Sequence, residues 1–219
     1  MGGVVPKQYL ELAGRSVIER SLAALTSCEF IESVVVVIGK DDPYAAKCSC
    51  LHGGRVTLCH GGASRSASVL AGLQTLALRA SPEDWVLVHD AVRPCVAAAD
   101  IRALAKRVTQ TGVGGILAEK VVDTIKRADG QHRVVETVAR DQLWRAQTPQ
   151  MFRLAALHDA LAKAIEAGVE ITDESSVMEG SGQPVQLVAG ASSNLKITVP
   201  EDLQTAALYL AEGVDHGEA

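Results

Sequence analysis

Hydrophobic and polar positions change their period in a regular order along the chain, from helical spacing to short continuous apolar runs and back. Helical spacing predicts a first helix in GRSVIERSLAALTSC, where Ser16 and Glu19 form a capping-box pattern. Continuous apolar runs, typical of strands buried on both faces, occur in SVVVVIG, RVTLCHGG, DWVLVHDAVRP and GGILAEKV. Amphipathic helices are predicted between them, in SRSASVLAGLQTLALRA and DIRALAKRVTQ.

The alternation stops between about 121 and 149, where two extended runs meet at Asp129-Gly130, a strong hairpin signal. Beyond it we predict helices in RLAALHDALAKAIEAG, DESSVMEGS and PEDLQTAALYLAEG, and strands in PVQLVAG and NLKITV. The pattern indicates an α/β protein, a Rossmann-like three-layer sandwich around a mostly parallel sheet. We expect one domain over residues 1–219, with a projecting β-arm at about 121–149.

Composition narrows the class of protein. The 219 residues are 47% hydrophobic but only 3% aromatic, so the core must consist of Val, Leu, Ile and Ala. A net charge of -5 argues against a nucleic-acid partner. The longest apolar run is too short to span a bilayer and no signal peptide is recognisable, so we expect a soluble cytoplasmic protein without a membrane partner.

The five cysteines form no disulfide framework, which is typical of a reducing compartment. Soft metal ligands cluster in CSCLHGGRVTLCH, but no Cys-x-x-Cys pair is present. We favour roles in loops and strand ends over a metal site for these residues, which are Cys48, Cys50, His52, Cys59 and His60.

Candidate chemistry follows the rule that open parallel sheets bind ligands at the carboxyl ends of their strands. There, HGGASRSASV places glycines and serines at a helix N-terminus, which suits an anionic ligand or simple capping. Asp90 and Arg93 end another strand, where they could hold Mg²⁺ and a phosphate or pair with each other. Lys196 lies beside the last predicted strand and could contact a phosphate or solvent.

This set of groups favours nucleotidyl transfer over hydride or acyl transfer. No G-x-S-x-G motif is present, and TGVGG precedes a strand where a dinucleotide-binding motif would follow one. A nicotinamide dehydrogenase is therefore a distant alternative.

The motifs PKQYLEL, GGASRSASVLAGL, VHDAVRP, DTIKR, LWRAQTPQMF, ITDESS and NLKIT occur in this order. Together they resemble the 2-C-methyl-D-erythritol 4-phosphate cytidylyltransferases over about residues 2–210. VHDAVRP also resembles ribitol-phosphate cytidylyltransferases, so ribitol 5-phosphate is an alternative substrate.

The resemblance implies a nucleotidyltransferase fold and a Mg²⁺-assisted reaction of CTP with the sugar-alcohol phosphate. It implies catalytic roles for Lys7 and Lys196, and a metal contact for Asp90. It further implies a homodimer in which the arm residues Thr124 and Arg140 serve the partner's site. The other implied contacts are Gly62, Ser68, Asp90 and Ala91 for the nucleotide, and Arg93, Thr148, Thr172 and Lys196 for the sugar phosphate.

The sequence departs from the family pattern at two places. Ala63 stands where the family often has an acidic residue. Met1-Gly2 also stands where the family has Met-Gly inside its CTP phosphate loop, after a first strand. From this we expect the first central strand and half of that loop to be absent, and turnover to be weak. A catalytically inactive scaffold that dimerises through its arm is the alternative outside the enzymes.

Overall fold

A computed structural model describes residues 5–212. Its helices are α1 (Val17–Thr26), α2 (Arg65–Leu76), α3 (Ala98–Thr111), α4 (Leu154–Glu166), α5 (Glu174–Gly180) and α6 (Pro200–Ala211). Its strands are β1 (Glu11–Leu12), β2 (Arg15–Ser16), β3 (Val34–Ile38), β4 (Val56–His60), β5 (Trp85–Val88), β6 (Gly115–Lys120), β7 (Ile125–Ala128), β8 (Val134–Val138), β9 (Trp144–Arg153) and β10 (Gln186–Ala189). Short 3-10 helices span Lys7–Tyr9, Ala45–Lys47 and Ser49–Leu51.

The central strands form two separate ladders instead of one continuous sheet. Four strands pair in the order β10-β6-β9-β5, and β3 pairs in parallel with β4. Strand β9 runs antiparallel to both β6 and β5, whereas β10 and β6 are parallel. Strands β5, β6 and β10 therefore share one direction, and the sheet is mixed around the single opposed strand β9.

Helices cover both faces of the four-stranded sheet, because its side chains alternate between two cores. Ile116 and Phe152 face a core that they share with α2 and α4, while their neighbours Leu117 and Met151 face a second core with α1 and α3. Both cores are dominated by aliphatic side chains, as the composition requires. The three-layer α/β sandwich expected from the sequence is confirmed.

The predicted hairpin is present as β7 and β8, which form an antiparallel ladder of their own. Its turn is closed by Asp129, whose carboxylate accepts hydrogen bonds from the amides of Gln131 and Arg133. Most side chains of both strands are exposed. The following segment returns as β9 to the sheet and is buried from Gln147 to Phe152, so the exposed arm ends earlier than residue 149.

The prediction of a strand in NLKITV is wrong. No strand is present over 194–199, although Ile197 is fully buried. The amide of Ile197 donates to the carbonyl of Val92, in a loop, so the segment lies against the 90–95 turn and joins no ladder. Burial without strand pairing explains why an apolar β-branched pattern was misleading here.

A cleft separates the two ladders. Strand β3 pairs with β4 alone and strand β5 with β9 alone among the described residues. The free edges of both strands line one cavity of about 1060 Å³. Among residues 5–212, no helix is long and apolar enough to cross a membrane.

Candidate active site

The carboxylate of Asp90, directly after β5, is surrounded by three cationic side chains from three parts of the chain. Lys196 Nζ lies 3.0 Å from Asp90 Oδ2, Arg65 Nη2 lies 3.4 Å from Oδ1, and Arg93 Nε lies 3.6 Å from Oδ2. Burial opposes ionisation of Asp90, but Lys196, Arg65 and Arg93 outweigh it and lower its pKa. The group is therefore an ionised carboxylate inside a net positive cluster, which suits an anionic ligand.

Arg65 connects this cluster to α5. Its Nη1 and Nη2 donate to Glu174 Oε1 and Oε2, at 2.7 and 3.0 Å, in a bidentate pair. Glu174 is fully buried, and burial of Arg65 is outweighed by Glu174 and Asp90, which raise the pKa of the guanidinium. The pair fixes the first residue of α2 against the first residue of α5, both at the carboxyl edge of the sheet.

The glycine pair before α2 is required by close packing on the first helical turn. A Cβ on Gly61 would lie 2.6 Å from Ser68 Oγ, and one on Gly62 would lie 2.6 Å from Ala67 Cβ. The amide of Gly62 donates to Ser68 Oγ at 3.2 Å, and the Ser68 hydroxyl donates to the Ser64 carbonyl at 2.8 Å. Ser68 thus holds the loop.

Ser64 is the N-cap of α2 and accepts a hydrogen bond from the Ala67 amide at 3.1 Å. The capping role left open by the sequence therefore belongs to Ser64, whereas the hydroxyl of Ser68 stabilises the glycine loop. The loop brings the amino end of α2, with its positive dipole end, beside Asp90.

A hydrogen-bond chain orders the turn that carries Asp90 and Arg93. The Asp90 amide donates to Thr148 Oγ1 at 3.0 Å, and this hydroxyl in turn lies 2.9 Å from His89 Nδ1. His89 Nε2 lies 3.2 Å from the Arg93 carbonyl, which can only accept. Nε2 must therefore carry a proton, and in the neutral ring Nδ1 accepts a hydrogen bond from the Thr148 hydroxyl. Burial favours the neutral form of His89, because it lowers the pKa of the ring to about 4.

Arg93 joins the same turn to the loop that carries Lys196. Its Nη1 donates to the Asn194 carbonyl at 2.7 Å. Asn194 is fully buried, and its Nδ2 donates to the carbonyl of Thr148 at 2.9 Å. Asp90, Arg93 and Lys196 are thereby placed by one network that links two loops to strand β9.

Comparisons with known proteins agree on one family. The family profile described as 2-C-methyl-D-erythritol 4-phosphate cytidylyltransferase matches residues 1–212. The chain belongs to this cytidylyltransferase family. The enzyme of that name from Vibrio vulnificus is 46% identical over 210 residues, covering 96% of this chain and 89% of that protein. The enzyme of the same name from Pseudomonas aeruginosa is 50% identical over 199 residues, covering 90% of this chain and 85% of that protein.

Solved structures support the same family and fold. A crystal structure of 4-diphosphocytidyl-2C-methyl-D-erythritol synthase superimposes with a TM-score of 0.84 at 37% identity, covering 93% of this chain and 94% of that one. The crystal structure of the Francisella tularensis 2-C-methyl-D-erythritol 4-phosphate cytidylyltransferase superimposes with a TM-score of 0.81 at 32% identity. The match covers 94% of this chain and 93% of that one.

Several residues predicted to serve the cytidylyltransferase site lie near the Asp90 cluster. Ala91 follows Asp90 and its carbonyl accepts from Ser21 Oγ at 2.9 Å. Thr148 is buried, and its hydroxyl is already shared between Asp90 and His89. Lys7 is half-buried, and its Nζ donates to the Thr198 carbonyl at 2.7 Å, two residues beyond Lys196.

The remaining predicted residues lie just before α5 and on the arm. Thr172 is exposed just before the N-cap of α5, Asp173. Thr124 is exposed at the start of the arm, and Arg140 donates a hydrogen bond from Nη1 to the Val122 carbonyl at the base of the arm.

Sequence reasoning missed Arg65, Glu174, His89 and Asn194, each of which holds the cluster together. Arg65 and Glu174 are separated by more than a hundred positions. Glu174 occupies the first turn of a capped helix, where an exposed carboxylate is the ordinary expectation. Only the buried pair itself shows that the two residues belong together.

Proposed function

We propose that this chain transfers the cytidylyl group of CTP to 2-C-methyl-D-erythritol 4-phosphate. A phosphate oxygen of the sugar alcohol attacks the α-phosphorus of CTP, and the bond to pyrophosphate breaks. The products are 4-diphosphocytidyl-2-C-methyl-D-erythritol and pyrophosphate. Family membership supports this reaction, and the observation that carries it is the positive cluster around Asp90 at the sheet edge.

Positioning and positive charge are what such a transfer needs from a protein. In this proposal Arg93 and Lys196 hold the sugar phosphate, and the loop of Gly62 and Ser68 with Ala91 holds the nucleotide. Thr148 acts on the phosphate pocket through the turn that it orders, and Thr172 borders the pocket at α5. Lys7 leaves the Thr198 carbonyl to stabilise charge on the pentacoordinate phosphorus.

Mg²⁺ fits this site only together with the nucleotide. Asp90 offers one carboxylate, and the residues described here contain no group of three His, Cys, Asp or Glu side chains that could hold an ion. Mg²⁺ characteristically uses one or two carboxylates and completes its shell with water and substrate phosphates. Asp90 would hold it, and the ion would neutralise charge on the phosphates of CTP.

Pyrophosphate release tests the reaction. The chain is assayed with CTP and either 2-C-methyl-D-erythritol 4-phosphate or ribitol 5-phosphate, and we expect release with the methylerythritol compound. Faster release with ribitol 5-phosphate would overturn the substrate assignment. No release, combined with no heat of CTP binding in calorimetry, would indicate the inactive scaffold.

Lys7→Ala is expected to lower kcat about a hundred- to a thousand-fold, because one well-placed charge at a transition state has that effect. Lys7 is only half-buried and its ammonium bonds a single carbonyl, so the free energy of unfolding of the variant should change little. The matched control is Lys163→Ala, since Lys163 is an exposed lysine at the last turn of α4. Equal rates for the two variants would show that Lys7 is not catalytic.

We further propose a homodimer in which the arm reaches the partner's site. An isolated two-stranded hairpin is marginal in water, and this arm exposes Val122, Val134 and Val135 at 71%, 64% and 63%. Arg140 would then exchange the Val122 carbonyl for the partner's substrate phosphate. The five described thiols are free, which supports a cytoplasmic location.

Mixing Arg140→Ala protein with Asp90→Ala protein tests the shared site. Subunit exchange should restore one intact site in each heterodimer and so recover part of the lost turnover. Arg127→Ala serves as the arm control, because Arg127 pairs with Glu136 within the hairpin. Sedimentation showing a dimer without any recovery would contradict the role of Arg140 in the partner's site.

A further inference from the structure

Two of the five cysteines, Cys48 and Cys50, form a pair of neighbouring thiols that the proposed reaction does not use. Their sulfur atoms lie 3.1 Å apart, close enough for one thiol to donate a hydrogen bond to the other. Both side chains are half-buried, so a small reagent can reach them. Cys28 and Cys95 are buried instead, and Cys59, half-buried in β4, has no sulfur partner within residues 5–212.

The backbone between the two cysteines favours a covalent bond between their sulfurs. Ser49, which separates them, begins the 3-10 helix Ser49–Leu51. A helical residue places the Cα atoms of its two neighbours roughly 5 Å apart, which is within the range that disulfides span. An S–S bond of about 2 Å therefore requires the two sulfurs to approach by about 1 Å, which rotation of the two side chains can supply.

The two thiols are chemically unequal. Burial and the neighbouring Cys48 raise the pKa of Cys50 to about 12, so Cys50 keeps its proton and can donate it to Cys48 Sγ in a hydrogen bond. Ser16 Oγ lies 3.9 Å from Cys48 Sγ and accepts from the Glu19 amide, so its own hydroxyl proton can point at the sulfur. Two donors can thus converge on Cys48 and stabilise its thiolate, the form that attacks a disulfide.

The thiol pair is bonded to the 3-10 helix that begins at Lys7. The Cys48 amide donates to the Ala45 carbonyl at 3.2 Å. Asp42 Oδ1 accepts from the Ala45 amide at 3.2 Å, and Asp42 Oδ2 accepts from the Tyr9 hydroxyl at 2.7 Å. Tyr9 is the last residue of the helix Lys7–Tyr9. A displacement of Cys48 therefore acts through Asp42 on this helix.

We infer that Cys48 and Cys50 are a redox-active dithiol that reduces a small disulfide, such as glutathione disulfide, and closes into an intramolecular disulfide. The Cys48 thiolate attacks one sulfur of glutathione disulfide, a mixed disulfide forms, and one glutathione leaves as its thiolate. Cys50, on losing its proton, attacks the Cys48 sulfur and displaces the second glutathione. Overall, two electrons and two thiol protons pass from the pair to two molecules of glutathione. The inference rests on the geometry of the thiols and holds whatever reaction the Asp90 cluster performs.

Peptide mapping after exposure to glutathione disulfide tests the site. The folded 219-residue chain is incubated with the reagent, free thiols are alkylated under denaturing conditions, and the protein is digested with trypsin without reduction. Cleavage after Lys47 and Arg55 gives the peptide CSCLHGGR, which contains both cysteines of the pair and no other. We expect this peptide without alkyl groups and lighter by two hydrogens, and excess reduced glutathione should restore both thiols.

Cys50→Ser is the matched variant, because it removes the second thiol and keeps the attacking one. It should trap glutathione on Cys48, whereas Cys48→Ser should leave Cys50 unmodified, since that thiol keeps its proton. Urea unfolding checks that both variants are as stable as the unmodified chain. The internal control is the tryptic peptide VTLCHGGASR, in which Cys59 should remain alkylated.

Three results would overturn the inference. Both cysteines of CSCLHGGR could remain alkylated, glutathione could stay attached to this peptide in the unmodified chain, or Cys59 could react as fully as the pair. Amide exchange at Tyr9 and Leu10 should differ between the oxidised and reduced chains, and equal exchange would overturn the link to the helix Lys7–Tyr9. CTP is absent from these measurements, so a failure of the proposed reaction leaves their outcome unaffected.

Discussion

At the scale of single residues, the pair of Arg65 and Glu174 has the largest expected effect on stability. Glu174 is fully buried, so Arg65→Met would leave a buried carboxylate without its partner. We expect the free energy of unfolding in urea to fall by about 3 kcal/mol. The control is the double variant Arg65→Met/Glu174→Met, which removes both charges and should regain most of the loss. A double variant no more stable than Arg65→Met would contradict this explanation.

A second prediction at the residue scale concerns His89 and the dependence of the free energy of unfolding on pH. Burial lowers the pKa of His89 from 6.5 to about 4, so between these values the unfolded chain binds a proton that the folded chain does not. Stability is therefore lost as pH falls from about 6.5 toward 4, by about 2 kcal/mol at pH 5 relative to pH 7.

Urea unfolding at pH 7 and pH 5 measures this difference. His89→Asn removes the titrating ring and should flatten the pH dependence, whereas His158→Asn, at a more peripheral histidine paired with Asp159, should retain it. Equal slopes for the unmodified chain and His89→Asn would show that another group is responsible.

At the scale of elements, the junction between β4 and α2 depends on the absence of a side chain at Gly62. In Gly62→Ala the new Cβ would meet Ala67 Cβ at 2.6 Å, so the loop must move away from the helix. We expect a loss of about 1–3 kcal/mol in unfolding free energy and a higher KM for CTP. Gly180→Ala is the control, because nothing lies within 4 Å of its Cβ position at the end of α5. Equal stability of both variants would refute the packing argument.

At the scale of the whole molecule, the divided sheet predicts an uneven distribution of amide protection. Strand β6 is paired on both sides, with β10 and β9, whereas β3 and β5 are each paired on one side. We expect amides of β6 to exchange most slowly, and the cleft-facing amides of β3 and β5 about ten- to a hundred-fold faster. Exchange followed by mass spectrometry tests this. Equal protection of β3, β5 and β6 would mean that the cleft is closed in solution.

Much of the fold follows from local chemistry that one stretch of sequence contains in full. The capping box of Ser16 and Glu19 is formed as predicted, because both partners lie within one helical turn. The hairpin at Asp129 is formed for the same reason, since its carboxylate bonds amides two and four positions away. The order of helices and strands and the family motifs are likewise properties of the linear sequence.

What the sequence could not determine depends on partners that are distant along the chain. The opposed direction of β9, the irregular path of 194–199 and the pairing of Arg65 with Glu174 result from tertiary packing, which no local period encodes. The sequence alone determined that Asp90 and Arg93 carry charge after a strand, and that Lys196 is a third charged candidate. The tertiary structure alone decided that they meet, because burying one carboxylate among three cations requires loops from three regions to close on the same point.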